Sequence, residues 1–532
     1  MSALARAAGL VSAFTLLSRV LGLLREQVFA ALLGAGLAAD AFQIGFRIPN
    51  LLRDLFAEGA LSAAFVPTYA RALVQGGLPA AQRLAVRLLT LLGLVLGVVT
   101  LAGIALAGPI VALLAPGFEP VAGKAELTVL LTRVMFPFLP LVSFAAVAMG
   151  MLNAEARYAA PALAPATFNL VAIAWGLLLW TLGLPPERVA LGWAVGTLAG
   201  GAAQFLVQLP ALRRGGFRFA LDWAPRDPLL AEIGRLLAPA TLGLAAVQIN
   251  IFVNSIFASH EAGAVSWLNY AFRILYLPIG LFGVAIGTIA ATGLANRAAA
   301  GDLDGVRETL RRALRLLAFL TLPASVGLLV LARPIVALLY ERGRFSAFDT
   351  RQTATALLLY GCGLAFFTGV KLLAPAFYAL GAPRLPLLAS LSAVATNLAV
   401  NFAFHERFGF RSVALGTSLG ALVNALVLGL SFERRFGGLR GHGLGRSVAR
   451  MAAAASAMGL LAWAAGGVLD AVPGQRGLAR QAVGALVPTL VGVLSYMALA
   501  RGLGIPEASD VLGVLRRRPG RGVEPPNAAP SS

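Results

Sequence analysis

The chain has 532 residues, 59% of them hydrophobic and 12% charged, about half the charged share of a soluble globular protein. Lys plus Arg number 43 against 23 Asp plus Glu, a formal net charge of +20. The basic residues sit mostly in short loops between apolar runs, where membrane topology and anionic lipid account for them and nucleic acid is not required.

Long apolar stretches recur to near the C-terminus, which implies an all-α polytopic membrane protein; a transmembrane barrel would instead show short alternating segments. The first predicted span covers about 8–33 and is interrupted by Arg19, Arg25 and Glu26, so it reads as a retained helix rather than a signal peptide. The second, about 39–74, is longer than a straight crossing and carries Asp40, Arg47, Arg53, Asp54 and Glu58. Asp40, Arg47 and Asp54 are spaced by seven and Glu58 follows by four, which sets these four on one helix face. Ionisable groups at bilayer depth are costly unless they face protein or water, so this face reads as the polar wall of a cavity. The structural alternative is a set of internal ion pairs, such as Arg25 with Asp40.

Gln75 to Pro79 closes the second span, and a third follows at about 85–107. The run Pro109 to Leu114 predicts a short interfacial helix. The fourth span, about 127–152, holds Arg133, with a bend expected at Pro137 and Pro140. The fifth and sixth cover about 160–181 and 189–209. Residues 211–228 mix four arginines with Phe217, Phe219 and Trp223 and predict an amphipathic cytoplasmic linker. Spans seven to twelve follow at about 229–259, 263–298, 307–331, 350–380, 385–404 and 411–432. The eighth contains Arg273, and the tenth contains Lys371. Spans thirteen and fourteen lie at about 448–469 and 481–502. The single cysteine, Cys362, excludes a disulfide framework within one chain. His260, His405 and His442 are far apart in sequence and near predicted helix ends, and read as solvated interface residues rather than metal ligands.

An internal repeat is visible. PIVALL at 109–114 recurs at 334–339, Phe46-Arg47 recurs as Phe272-Arg273, and Asn169-Leu170 recurs as Asn397-Leu398. Six spans separate the copies, and an even number preserves orientation, so the repeats are parallel. The expected fold is about 14 transmembrane helices in two parallel six-helix repeats plus two C-terminal helices. The domains are 1–210, a first six-helix lobe; 211–228, the linker; 229–432, a second six-helix lobe; 433–503, a C-terminal helix pair; and 504–532, a disordered basic cytoplasmic tail. With both termini cytoplasmic, 25 basic residues fall on inner segments and 10, Lys124 among them, on outer ones.

The remaining cations are in or near helices. If Arg19, Arg25, Arg47, Arg53, Arg133 and Arg273 share a cavity, its acids do not neutralise them. Arginine stays protonated and presents a fork of donors suited to phosphate or carboxylate, so an anionic substrate headgroup is the economical explanation. No Walker A motif, Rossmann glycine pattern or paired metal-ligand motif is present, so the sequence points to movement of an anion rather than to covalent chemistry.

The segments SRVLGLLRE at 18–26, DAF at 40–42, FRIPNLLRDLFAEGALSAAFVPTY at 46–69 and VSWLNYAFRI at 265–274 resemble the MurJ/MviN family of lipid II flippases. That family lies within the multidrug, oligosaccharidyl-lipid and polysaccharide exporter superfamily, and the resemblance extends over about 1–500. It implies alternating access through a central cationic cavity in the bacterial cytoplasmic (inner) membrane. The cargo would be undecaprenyl-pyrophosphate-linked disaccharide pentapeptide, carried to the periplasmic leaflet. The implied substrate-binding residues are Arg19, Arg25, Arg53 and Arg273, with Arg47, Asp40 and Glu58 supporting. The lipid tail would lie along the C-terminal helix pair. Implied partners are lipid II, anionic phospholipids and cell-wall synthesis or division proteins. Many relatives have an acid before the eighth-span arginine, where this chain has Phe272, which leaves Arg273 freer for substrate. Some relatives hold sodium at positions that here match Asn250, Asn254, Asn397, Asn401, Val413 and Thr417. Asn401 stands where a relative has Asp, which weighs against sodium and leaves the membrane potential as the other coupling source. Two alternatives stay open: an exporter of another polyprenyl-pyrophosphate-linked glycan, and a non-transporting scaffold for envelope assembly.

Overall fold

A computed structural model describes residues 3–53, 60–439, 443–471 and 477–516, side chains at 3–8, 60, 62–63, 238–247, 470–471, 512 and 514–516 excepted. The described residues contain helices and no strand. In chain order the helices begin with α1 (Ala3–Leu33), α2 (Leu37–Arg53), α3 (Ala60–Ala105), α4 (Ala107–Leu114), α5 (Lys124–Met135) and α6 (Phe138–Ala154). Then come α7 (Ala159–Thr181), α8 (Pro186–Leu206), α9 (Leu209–Arg214), α10 (Pro228–Ser259) and α11 (Ala264–Pro278). A π turn at Ile279–Val284 leads into α12 (Ala285–Ala299), followed by α13 (Leu303–Tyr340), α14 (Ala347–Gly361) and α15 (Leu364–Ala379). The chain continues with α16 (Arg384–Phe408), α17 (Phe410–Phe436), α18 (Leu444–Ala471), α19 (Leu478–Gly502) and α20 (Pro506–Arg516).

Breaks fall where backbone chemistry allows them. Gly77 takes φ 71°, a left-handed value open to glycine, and interrupts α3 where the second and third spans meet. The α5–α6 break lies at Phe136 and Pro137, as the proline pair predicts. PIVALL forms α4 in its first copy; in the second it ends α13, beyond a kink at Leu331. Helices α14 and α15 are bent by 44°, where the sequence expects one continuous span.

Among the described residues, ten helical segments are long and apolar enough to cross a membrane, or eleven with the bent α14–α15 pair. The fourteen spans expected from sequence include three more, which correspond to α1, α2 and α10. Two of these are the charged helices: α1 carries Arg19, Arg25 and Glu26, and α2, described as far as Arg53, holds Asp40, Arg47 and Arg53.

The helices form two compact units. The first comprises Met1–Ile274, Ile335–Tyr360 and Leu387–Val423, so it takes in the first expected lobe and parts of the second. One core lies between α3, α6 and the start of α10, where Phe65, Tyr69, Leu84, Leu88, Met151 and Ile233 are buried together. The linker after α9 is non-helical and clamped rather than loose. Arg87 on α3 donates to Asp222 at 2.8 Å and Asp227 at 2.5 Å, and Gln82 donates to the Gly215 carbonyl at 2.9 Å.

The second unit comprises Leu275–Pro334, Gly361–Pro386 and the described residues from Asn424. In it α18 and α19 pair along their length, and the Tyr496 hydroxyl donates to the Phe319 carbonyl of α13 at 2.9 Å. Residues 506–516 form α20, contrary to the disorder expected from residue 504 onward. Proline at the first helical position, an acid in the first turn, burial of Ile505 and Ala508, and a 2.7 Å Arg315–Glu507 ion pair fix that helix. The rest of the expected tail, 517–532, lies outside the described residues.

Candidate substrate cavity and seal

One carboxylate organises the cationic region. Glu26 on α1 is buried and accepts from Arg25 Nη2 at 2.6 Å through one oxygen, while Arg273 Nε on α11 lies 3.2 Å from the other. Adjacent helical residues point about 100° apart. Arg25 nevertheless turns back to its neighbour, because a desolvated guanidinium needs a counter-charge. Its carbon centre also lies 5.2 Å from the centre of the Phe168 ring, within cation–π range. Phe29, Phe42, Phe46 and Trp193 line the same cavity, with Gln43 and Thr197 as its neutral polar groups.

Sequence reasoning assigned the supporting acids to Asp40 and Glu58. Among the described residues the acid that meets Arg25 and Arg273 is Glu26, while Asp54, Glu58 and Gly59 lie outside the described residues. Phe272 leaves Arg273 with no acid directly before it, and an acid reaches it from another helix. Phe272 stacks edge-on against Tyr360 at 5.5 Å, and Arg273 finds its acid on α1. Arg273 still keeps 45% of its side chain exposed, against 19% for Arg25.

Arg47 and Arg53 lie one and a half to two turns apart on α2. Arg53 and Arg273 both act on Arg25 through space, and Arg47 interacts with Arg273 and with Tyr360. Arg47 is half-buried and has no ion pair among the described residues. Among the described residues, the guanidinium groups of Arg25, Arg47 and Arg273 therefore share this region with one carboxylate, Glu26. The structure does not bring Arg19 or Arg133 into this group: both are exposed, on α1 and α5.

Asp40 does something else. It is fully buried, and its carboxylate accepts four hydrogen bonds. Lys124 Nζ and the Gly263 amide reach one oxygen at 2.8 Å each; the Ser266 amide and hydroxyl reach the other at 3.0 and 2.7 Å. Asp40 therefore caps the N-terminus of α11, where the helix dipole and unpaired amides favour an anion. It neither pairs with Arg25 nor lines the cavity. Lys124, assigned from sequence to an outer loop segment, is 2% exposed and sits 4.0 Å over the Phe118 ring.

Asp40 lies within a wider seal at the ends of α1, α2 and α11. Tyr270 donates to the Gly34 carbonyl at 2.8 Å, and the Arg344 amide donates to the Ala31 carbonyl at 2.8 Å. The Arg344 guanidinium reaches the Leu184 carbonyl at 3.0 Å. Gly263 has φ +87°, and a Cβ there would stand 2.7 Å from the Ala35 carbonyl, so the backbones meet directly.

The expected sodium-site residues do assemble, as amides bonded to one another. Asn397 Nδ2 donates to Asn250 Oδ1 at 2.5 Å and to Asn254 Oδ1 at 2.7 Å, and Asn254 donates to Thr417 at 3.1 Å. Asn401 donates to Asn397 Oδ1 at 3.0 Å and accepts from Ser412 at 3.1 Å. Among the described residues no group of three or more His, Cys, Asp or Glu is placed to hold a metal ion. A cation here would meet neutral oxygens only, each already accepting a hydrogen bond. His260 and His405, far apart in sequence, meet nearby with ring centres 6.0 Å apart; His442 lies outside the described residues.

A sequence profile for the family described as "Lipid II flippase MurJ" matches residues 29–472. The chain is 38% identical over 417 residues to a probable lipid II flippase MurJ of Vibrio cholerae, covering 77% of this chain and 79% of the relative. The chain belongs to the MurJ family. It is 36% identical to the lipid II flippase MurJ of Burkholderia cenocepacia, over 80% of this chain and 83% of that one. A Bdellovibrio bacteriovorus relative extends the match to 95% of this chain and 96% of its own length at 31% identity. A solved MurJ structure in an inward closed conformation shares the fold, with TM-score 0.76 at 23% identity, covering 95% of this chain and all of that one. An inward-facing multidrug resistance transporter of the MATE family, itself of the MOP superfamily, gives 0.67 at 18% identity, over 81% of this chain and 99% of its own. As a MurJ-family protein the chain is a polytopic protein of the bacterial inner membrane.

Proposed function

We propose that this chain carries lipid II from the cytoplasmic to the periplasmic leaflet by alternating access, as a transporter without covalent chemistry. The observation that carries the reading is the Arg25–Glu26–Arg273 group with Arg47 beside it. Two guanidinium groups share one acid, a third has none among the described residues, and aromatic rings form the walls. Such an excess of positive charge in a membrane protein is stable when a polyanion is its visitor, and a pyrophosphate supplies the matching charge and the oxygens for bidentate contact.

Arg25, Arg47, Arg53 and Arg273 then receive the headgroup, and Glu26 holds two of them in place between visits. The contacts of Asp40, Gly34 and Arg344 close the outer end, taking the expected topology with the N-terminus inside. Helices α18 and α19 offer exposed apolar side chains such as Leu460, Trp463, Leu490 and Leu494 to the polyprenyl tail. Exposed Phe219, Leu221 and Trp223 beside the linker arginines suit the anionic phospholipid surface.

The test is rescue. Cells depleted of their native lipid II flippase should regain growth and normal shape when they express this chain. Verified insertion without rescue would overturn the reading and favour another polyprenyl-pyrophosphate-linked glycan.

A further inference from the structure

Asp40 has two kinds of partner. Three of its four hydrogen bonds come from Gly263 and Ser266 at the start of α11, in the stretch 229–432 expected as the second lobe. The fourth comes from Lys124 at the start of α5, in the same expected lobe as α2. If the outer seal opens, α11 leaves, and three of the four bonds are lost together. A buried carboxylate stripped of donors is strongly destabilised, so without a retained partner the seal would close well and open poorly.

Lys124 fits the retained role. Its ammonium is held apart from α11, over Phe118 at 4.0 Å and on a helix that packs against α2. It is one of only two lysines in an arginine-rich chain. A compact ammonium can keep one short bond to Asp40 while its remaining donors take up water as the seal opens, whereas a guanidinium would need its whole fork placed.

We propose that Lys124 is a positioning residue of the transport cycle: the resident counter-ion that keeps Asp40 partnered when α11 departs, and so makes the outer seal reversible. The proposal rests on the alternating-access reading. It assigns Lys124 no contact with substrate.

The experiment reads opening directly, without substrate. Thr197 is buried in the cavity wall, so Thr197→Cys in a Cys362→Ser background reports cavity access to a membrane-impermeant maleimide added outside right-side-out vesicles. Lys124→Met should slow outside labelling at least about tenfold, because opening then strands a buried charge. Asp40→Asn should speed it, because the latch is weakened. The double variant Asp40→Asn with Lys124→Met should label at least as fast as the parent, because no charge is left to strand. A charge-retaining Lys124→Arg should fall between Lys124→Met and the parent. Lys124→Met labelling like the parent, or a double variant as slow as Lys124→Met, overturns the proposal. Should Lys124→Met fail to accumulate, recovery of membrane protein in the double variant supports the pair, and continued loss overturns it. A parent that never labels from outside sinks alternating access itself, a different result from either.

Discussion

Arg273→Ala is the cleanest perturbation of the cavity, because the substrate role proposed for Arg273 can be separated from its structural one. The substitution removes the longer of the two Glu26 contacts, 3.2 Å, and leaves the 2.6 Å Arg25 bond in place. Glu26 keeps a counter-charge, so folding should survive. What is lost is a half-exposed guanidinium at a site built for an anion. Truncating one partner of a desolvated charge pair costs roughly 2–5 kcal/mol. With 45% of the Arg273 side chain exposed, solvent screens part of this, and the low end applies. About 2 kcal/mol is roughly a 30-fold loss in headgroup affinity. The assay is flipping of a fluorescent polyprenyl-pyrophosphate glycan in proteoliposomes at subsaturating substrate, with membrane insertion quantified alongside. Arg273→Lys should recover part of the loss, since charge returns without the bidentate fork. A well-inserted Arg273→Ala protein that flips at the parent rate would refute the substrate role.

Arg25→Ala and Arg53→Ala should impair flipping severely, while Arg214→Ala in the exposed linker should stay within about twofold of the parent, since isolated surface charges contribute little; equal losses at all three would show that the effect is not local. At fixed potential, replacing sodium by choline on either side should leave the rate unchanged, because the Asn250–Asn254–Asn397–Asn401 cluster offers no carboxylate; a sodium requirement abolished by Asn401→Ala or Thr417→Ala would reverse this. An inside-negative potential set with potassium and valinomycin should accelerate turnover, since each charge moved is worth about 2.3 kcal/mol per 100 mV and the empty cationic cavity is drawn back inward; a rate indifferent to potential would favour flipping driven by substrate consumption alone. Burial pushes the Asp227 carboxyl up, but the Arg87 hydrogen bond and the Leu229 amide outweigh it and hold it below its ordinary value. The linker clamp is therefore fully present above the ordinary carboxylate range and is lost as pH falls through the lowered value. Limited proteolysis of the linker should rise sharply on acidification below about pH 4, and Asp227→Asn should show the exposed pattern already at neutral pH.

Much of the architecture is written in local chemistry. The breaks at Gly77, at Pro137 and before each copy of PIVALL follow from glycine freedom, proline geometry and the repeat. The cavity arginines on the first, second and eighth spans were legible because a charge inside an apolar run demands an explanation. The pairing was not. Helical spacing places Asp40, Arg47 and Glu58 on one face and separates Arg25 from Glu26, which suggests that Asp40 serves the cavity. Yet Asp40 is drawn to the first turn of α11, more than two hundred residues away, and no periodicity reports that contact. Lys124 was misplaced for a related reason: a lysine just before an apolar run looks the same whether it meets water or a buried carboxylate. Residues 506–516 read as tail because their own propensity is weak, and docking through Ile505, Ala508 and the Arg315–Glu507 pair supplies what propensity lacks.

The helices least like membrane spans are the ones around which the function is built. Helices α1 and α2 stand apart from the apolar set because they carry Arg19, Arg25, Glu26, Asp40, Arg47 and Arg53. A lipid-facing surface could not bear the buried acids Glu26 and Asp40, so the stretches of α1 and α2 that carry them are enclosed by neighbours such as α7 and α5. Enclosure then sets two opposite requirements. At the seal every polar atom must be satisfied in the closed state, and Asp40 meets that demand with four bonds. In the cavity some charge must stay unsatisfied, or an anion would find no reason to enter; Glu26 serves two arginines, and Arg47 has no acid among the described residues. A second acid beside Arg47 would stabilise the empty protein and weaken its grip on an anion. Gln43→Glu, one turn before Arg47 on α2 and already lining the cavity, would test whether that compromise is the one being kept: a more heat-stable carrier with slower flipping would follow from it, and a destabilised carrier with unchanged flipping would not.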